Sequence, residues 1–88
     1  MKLKIDFIVK SVADKKVAIA VDGEKIGFDG MLTLNDSGAF ILDCLKEDTT
    51  VEDIVKKFLS EYDATHEQAE GTIVSFIEKL RDAGLIEG

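Results

Sequence analysis

The sequence predicts one small α+β domain in which a three-stranded antiparallel sheet is followed by three helices. Before Asn35, short β-branched stretches are separated by turn residues, which is typical of strands. After Asn35, apolar residues recur at spacings of three and four, which indicates helices. A chain of 88 residues builds a single modest core. We therefore expect residues 1–88 to form one domain.

Three segments in the first third of the chain are predicted strands. They are residues 6–12, residues 16–21 and Met31–Leu34, and all three are rich in β-branched or apolar residues. Turn-forming residues separate them, since Asp and Gly adopt turn conformations readily. The predicted turns are residues 14–16, Asp22-Gly23 and Asp29-Gly30.

Capping residues indicate where each helix begins. Asn35 can cap the first helix, and either Thr49 or Thr50 can open the second, because each precedes an acidic residue by three positions. Thr65 with Gln68 forms a capping box that opens the longest helix.

Gly84 marks the expected end of the third helix, because glycine readily adopts the left-handed conformation of a helix stop. Leu85 and Ile86 follow it and are predicted to return to the core.

The charge balance argues against nucleic acid as a partner, and the short apolar runs argue against a membrane. The chain has 18 acidic against 11 basic residues and a net charge of −7, whereas nucleic-acid affinity depends on Lys and Arg. The first apolar run ends at Val9, which is too short for a signal peptide, and no apolar run approaches a membrane span. With a single cysteine, the chain fits a reducing compartment. We expect a cytoplasmic protein.

The titratable side chains do not form a recognisable catalytic or metal site. Cys44 lies on the apolar stripe of the first helix and is predicted to be a core residue, while the only histidine, His66, is predicted at an exposed position in a first helical turn. Asp36-Ser37 resembles the attachment site of acyl carrier proteins, but Gly38 follows where leucine is usual. We expect no enzyme activity, no catalytic residue, no cofactor and no metal.

Two features of the sequence, its fold outline and one uncharged strand, predict a role in binding. Three strands followed by three helices match the outline of a winged helix-turn-helix fold, which leaves open a winged-helix regulatory domain that binds protein or DNA. The segment Met31–Leu34 is apolar and carries neither charge nor proline, so as an edge strand it could accept an added strand. Val74 lies one position off the core stripe of the third helix, near Ile77 and Arg81 by helical spacing.

The ordered set of motifs resembles the PqqD-like family, the precursor-peptide recognition elements of ribosomal peptide modification pathways. The segments that carry the resemblance are residues 34–42, 50–55, 61–63, 76–80 and 83–86. The similarity runs from about Phe7 to Glu87, and it is the order and spacing of these segments that make it specific.

The resemblance implies a non-catalytic chaperone that binds the leader segment of a precursor peptide and presents it to a modifying enzyme, often a radical S-adenosylmethionine enzyme. The family includes members in pyrroloquinoline quinone synthesis and in other pathways. The leader is expected to add as a strand to the third strand and to lie against the third helix, with the module a monomer or a weak dimer. The predicted peptide-binding residues are Met31, Leu32, Thr33, Leu34, Val74, Ile77 and Arg81.

Overall fold

The computed structural model describes residues 1–21 and 31–88. The strands are β1 Lys2–Leu3, β2 Phe7–Val12, β3 Lys15–Ala20, β4 Met31–Leu34 and β5 Ile86–Glu87, and the helices are α1 Asp36–Cys44, α2 Val51–Glu61 and α3 His66–Asp82. An antiparallel sheet of order β2-β3-β4 is followed by the three helices. The α+β, winged helix-turn-helix-like prediction is therefore confirmed. The predicted turns at Asp22-Gly23 and Asp29-Gly30 lie outside the described residues.

The register of this main sheet determines which backbone groups face its two edges. The backbone N–H of Val21 donates to the carbonyl oxygen of Asp6, which lies opposite it, at 2.9 Å. Because bonded and non-bonded pairs alternate along antiparallel strands, the odd-numbered residues of β3 bond to β2 and its even-numbered residues bond to β4. On β2, the even-numbered residues bond to β3.

The hairpin between β2 and β3 is tighter than predicted. Val12 pairs with Lys15, so the loop consists of Ala13 and Asp14 alone, and Lys15 and Lys16 belong to β3. The predicted turn over residues 14–16 began one residue and ended two residues too late. The reason is that Ala13 adopts a φ of 57°, a left-handed conformation that is unfavourable for a residue with a side chain.

The predicted helix caps are confirmed. The side chain of Asn35 accepts from the backbone N–H of Gly38, and Thr50, rather than Thr49, caps α2. Thr65 and Gln68 form the reciprocal capping box at the start of α3. These bonds satisfy donors that the first turn of a helix otherwise leaves unpaired.

The hydrophobic core lies between the helices and one face of the main sheet. α1 packs against β3 and β4, and α2 packs against α3. The small Ala18 is completely buried at the centre of the sheet. The buried side chains of the core are Leu3, Phe7, Ala18, Leu34, Ile41, Leu42, Leu45, Ile54, Val55, Phe58, Ala69, Ile73, Ile77, Leu80, Leu85 and Ile86.

A second, two-stranded sheet joins β1 to β5, with Leu3 opposite Ile86. β5 follows Gly84, whose φ of 77° ends α3 as predicted. The backbone N–H of Leu85 then donates to the carbonyl oxygen of Leu80 at 2.9 Å. Leu85 and Ile86 are buried, as predicted. The sequence did not predict this sheet, because two-residue strands carry no periodic signal. None of the helices in the two described ranges is long and apolar enough to cross a membrane.

Candidate binding groove

β4 presents unpaired backbone groups at the edge of the main sheet. Leu32 and Leu34 lie opposite the even-numbered residues of β3, so their N–H and C=O groups bond within the sheet. Met31 and Thr33 therefore direct their backbone groups away from β3. Within residues 1–21 and 31–88, no strand pairs with this edge, which makes it available to an added strand.

A cleft of about 240 Å³ lies between β4 and α3. A neighbouring cleft of about 260 Å³ lies between α3 and the start of α1. The two clefts share Asn35, Phe76 and Lys79, so they lie side by side, and together they are here called the α3 groove. Its lining residues are Leu32, Thr33, Leu34, Asn35, Ser37, Gly38, Ile41, Thr72, Ser75, Phe76, Lys79, Leu80 and Ala83.

The start of α1 is shaped to admit the ring of Phe76. A Cβ added at Gly38 would lie 3.2 Å from the Phe76 ring and 3.1 Å from the side-chain oxygen of Asn35, both tighter than ordinary contacts. The same Asn35 oxygen accepts from the backbone N–H of Gly38 at 2.7 Å and from the Ser37 hydroxyl at 3.0 Å. The cap that starts α1 thus also fixes one wall of the groove.

Among the described residues, Lys79 is the only charged one that lines the α3 groove. It is exposed, and no ion pair joins it to another of the described residues. The remaining lining is apolar or uncharged. The groove can therefore accept apolar side chains between β4 and α3, polar side chains at the start of α1, and one anionic group near Lys79.

The structure brings together only part of the predicted site. Leu32, Thr33 and Leu34 line the α3 groove. Met31 belongs to the same strand but is 65% exposed outside the groove lining.

The three residues predicted on the third helix do not line the groove. Ile77 is buried in the core at 5% exposure, and Val74 is half-buried. Arg81 is exposed and donates from Nη2 to the carbonyl oxygen of Gly88 at 3.3 Å.

The helix residues that do line the groove were missed. Thr72, Phe76, Lys79 and Ala83 follow one another at spacings of four, three and four, so they form a stripe on α3. This stripe runs directly beside the core stripe that contains Ile73, and the sequence analysis assigned Phe76 to that core. The helical spacing of Phe76 with Lys79 and Ala83 could have identified this stripe. The sequence alone does not show which of the stripes beside the core stripe faces β4.

The two side chains with reactive potential lie outside the groove. Cys44 is half-buried rather than a full core residue, and loss of solvation raises the pKa of its thiol. His66 is exposed as predicted, with Glu52 and Glu70 at 3.9 Å and 4.0 Å from its ring nitrogens.

A further cleft, of about 410 Å³, lies beside Cys44 between α1 and α2. It is lined by charges of both signs, Lys46 and Lys57 against Asp43, Glu47 and Glu61. Its size alone does not make it the binding site, since no unpaired strand edge borders it.

Comparisons with known proteins identify related sequences and folds. The sequence model of the family described as coenzyme PQQ synthesis protein D (PqqD) matches residues 16–86. No curated protein matches the sequence significantly. The solved structure of TbiB1 in complex with the TbiA(beta) leader peptide is similar, with a TM-score of 0.74, 23% identity, and coverage of 100% of this chain and 96% of that chain.

Lasso peptide synthetase B1 complexed with the leader peptide is a second similar structure, with a TM-score of 0.71 and 23% identity over 99% of this chain and 96% of that chain. At this level of identity the two structures show a shared fold.

Proposed function

Because this chain belongs to the PqqD family, we propose that it is a non-catalytic module that binds the leader segment of a ribosomally made precursor peptide. Its role is to present that peptide to a modifying enzyme. Both structural neighbours are named as complexes with leader peptides, which supports the same ligand class for this chain.

The observation that carries the proposal is the free edge of β4 beside the α3 groove. A leader that adds as a further strand would bond to the outward backbone groups of Met31 and Thr33. Side chains alternate across a strand, so every second leader residue would enter the groove against Phe76. Backbone bonds would supply sequence-independent affinity, and the groove would supply selectivity.

The lining of the α3 groove specifies the chemistry of the leader. Leu32, Phe76 and Leu80 offer apolar contacts, and Lys79 offers a single positive charge. We expect a leader with apolar side chains at alternate positions. An acidic residue near the point where the leader passes Lys79 would add a charge-assisted contact.

The proposal extends to the module as a whole. Residues 1–88 act as one peptide-recognition domain, in the cytoplasm where ribosomes make the precursor, as a monomer or a weak dimer. The modifying enzyme is the catalytic partner, and a radical S-adenosylmethionine enzyme is one candidate. The positions of Cys44 and His66 outside the groove support a role without chemistry.

Titration of isotopically labelled protein tests this function. The probe is a synthetic leader segment of the precursor encoded beside this chain, and the control is the same peptide with its residues scrambled. We expect saturable shifts of the backbone amide signals of Met31 and Thr33 and of the groove stripe around Lys79. Shifts confined to β2 or α2, or equal shifts with the scrambled peptide, would contradict the proposal.

A further inference from the structure

The face of the main sheet that points away from the helices is strongly apolar. Ile8, Ile19 and Met31 lie directly opposite one another on the three strands and are 51%, 39% and 65% exposed. Val12 and Val21 lie on the same face and are also exposed. Single exposed apolar side chains are normal, but a contiguous set on one face is typical of an interaction surface. We call these five residues the outer patch.

Two exposed lysines and one aspartate flank the outer patch among the described residues. Lys10 and Lys15 lie on the same face of the strands, and Asp6, opposite Val21, is the acidic residue beside them. Charge is also divided along the chain. Residues 1–21 contain five Lys against two Asp, whereas residues 31–88 contain five Lys and Arg against thirteen Asp and Glu. With two lysines against one aspartate, the rim of the outer patch is net basic on an otherwise acidic protein.

We propose that the outer patch docks the modifying enzyme, through an apolar surface of that enzyme with an acidic rim. The inference rests on the proposed function and adds a second surface to it. Complementary charge favours such a partner, because it guides association and excludes partners of the wrong sign. A second copy of this chain fits less well, since two outer patches packed face to face would bring two net basic rims together.

The position of the outer patch suits an enzyme that must receive the bound leader. Met31 belongs to the outer patch, and it also supplies outward backbone groups at the β4 edge. An enzyme docked on the patch would therefore lie beside the strand that the leader adds. The α3 groove lies on the helix side of the sheet, so enzyme and leader would not compete for it.

Two neighbouring positions on β2 provide a matched test. Ile8 lies in the outer patch, whereas Val9 is 39% exposed on the opposite face of the same strand. Both lie on the strand farthest from β4. The Ile8→Lys and Val9→Lys variants add the same charge, and circular dichroism would verify the fold of each. The probes are the modifying enzyme encoded beside this chain and the synthetic leader, with affinities measured by calorimetry.

We expect Ile8→Lys to weaken binding of the enzyme at least about tenfold, because it places an ammonium group in an apolar contact. Leader affinity should change less than about twofold for both variants, and Val9→Lys should bind the enzyme like the wild type. Lys10→Glu keeps the apolar side chains and should also weaken enzyme binding, with the larger loss at low salt.

Several results would overturn the inference while leaving the proposed function intact. In the first, the wild-type protein binds the leader but not the enzyme. In the second, Ile8→Lys and Lys10→Glu leave the affinity for the enzyme unchanged. In the third, the wild type is a dimer that Ile8→Lys dissociates without any effect on the affinity for the enzyme. Failure of the wild type to bind leader would instead overturn the proposed function.

Discussion

The two edge strands of the main sheet, β2 and β4, differ in length, in charge and in what lies beside them. β2 is six residues long, five of its residues are exposed, and Lys10 stands near its middle. β4 is four residues long, carries no charge, and borders the α3 groove. A charge on an edge strand discourages unwanted pairing, so β2 is protected where β4 is open. The comparison teaches that a free strand edge becomes a binding site when a groove beside it receives the side chains of the added strand.

Proline at Thr33 should have the largest effect on leader binding. The N–H of Thr33 points to the free edge, so Thr33→Pro removes a donor for the leader and no bond to β3. The ring would also obstruct an added strand. We expect leader affinity to fall by about ten- to a hundredfold, equivalent to about 1.4–2.8 kcal/mol, in a calorimetric titration.

Ser11→Pro is the matched control on the other edge. Ser11 also directs its N–H away from β3 and is also exposed. This variant should leave leader affinity within about twofold, because nothing in the proposal places the leader on β2. If Ser11→Pro weakens binding as much as Thr33→Pro does, the distinction between the two edges is wrong.

Truncation of Phe76 should have the next largest effect, because this ring is the main apolar wall of the α3 groove. We expect Phe76→Ala to weaken leader binding about tenfold. Val74→Ala on the same helix is the control, since Val74 does not line the groove. The opposite ranking in a fluorescence anisotropy titration would favour the surface predicted from the sequence, with Val74, Ile77 and Arg81, over the proposed α3 groove.

Removal of the charge at Lys79 should have a smaller effect. Lys79 is solvent-exposed, and exposed ion pairs contribute little because water and salt screen them. Lys79→Gln should weaken binding of an acidic leader about two- to fivefold. The difference from wild type should shrink at high salt. A leader whose acidic residues are replaced by amides should bind both proteins equally, and a persistent difference would exclude a charge effect.

Glycine at Ala13 should act on stability alone. The φ of 57° at Ala13 is unfavourable for a residue with a Cβ and accessible to glycine, although glycine loses more entropy on folding. We expect Ala13→Gly to raise the free energy of unfolding by about 0.5–1 kcal/mol in a urea denaturation curve. Leader affinity should stay constant, because Ala13 belongs neither to the outward edge of β4 nor to the lining of the α3 groove. A change in affinity would link the two edges.

The sequence predicted those elements whose signals are local. Asn35, Thr50 and Thr65 cap helices through bonds to residues three positions away, so their roles depend on short-range chemistry. β4 was identified with its observed bounds, because an uncharged apolar run between turn residues is a local pattern.

Features that depend on tertiary contact were not predictable in the same way. The pairing of Leu3 with Ile86 joins residues at opposite ends of the chain, and neither two-residue strand has a period. The orientation of α3 about its own axis decides whether Val74 or Phe76 faces β4. Both residues lie beside the buried stripe of the helix, and only packing against the sheet distinguishes them.

The shortness of β4 has a kinetic consequence. With only Met31 and Thr33 directing groups outward, a leader strand gains about four backbone hydrogen bonds, or about 2–6 kcal/mol in total. A micromolar complex needs about 8 kcal/mol, so the groove must supply the rest. At an association rate constant of about 10⁶ M⁻¹ s⁻¹, such a complex lasts about one second. The length of one strand thus limits residence time, and one molecule can exchange many peptides within a minute.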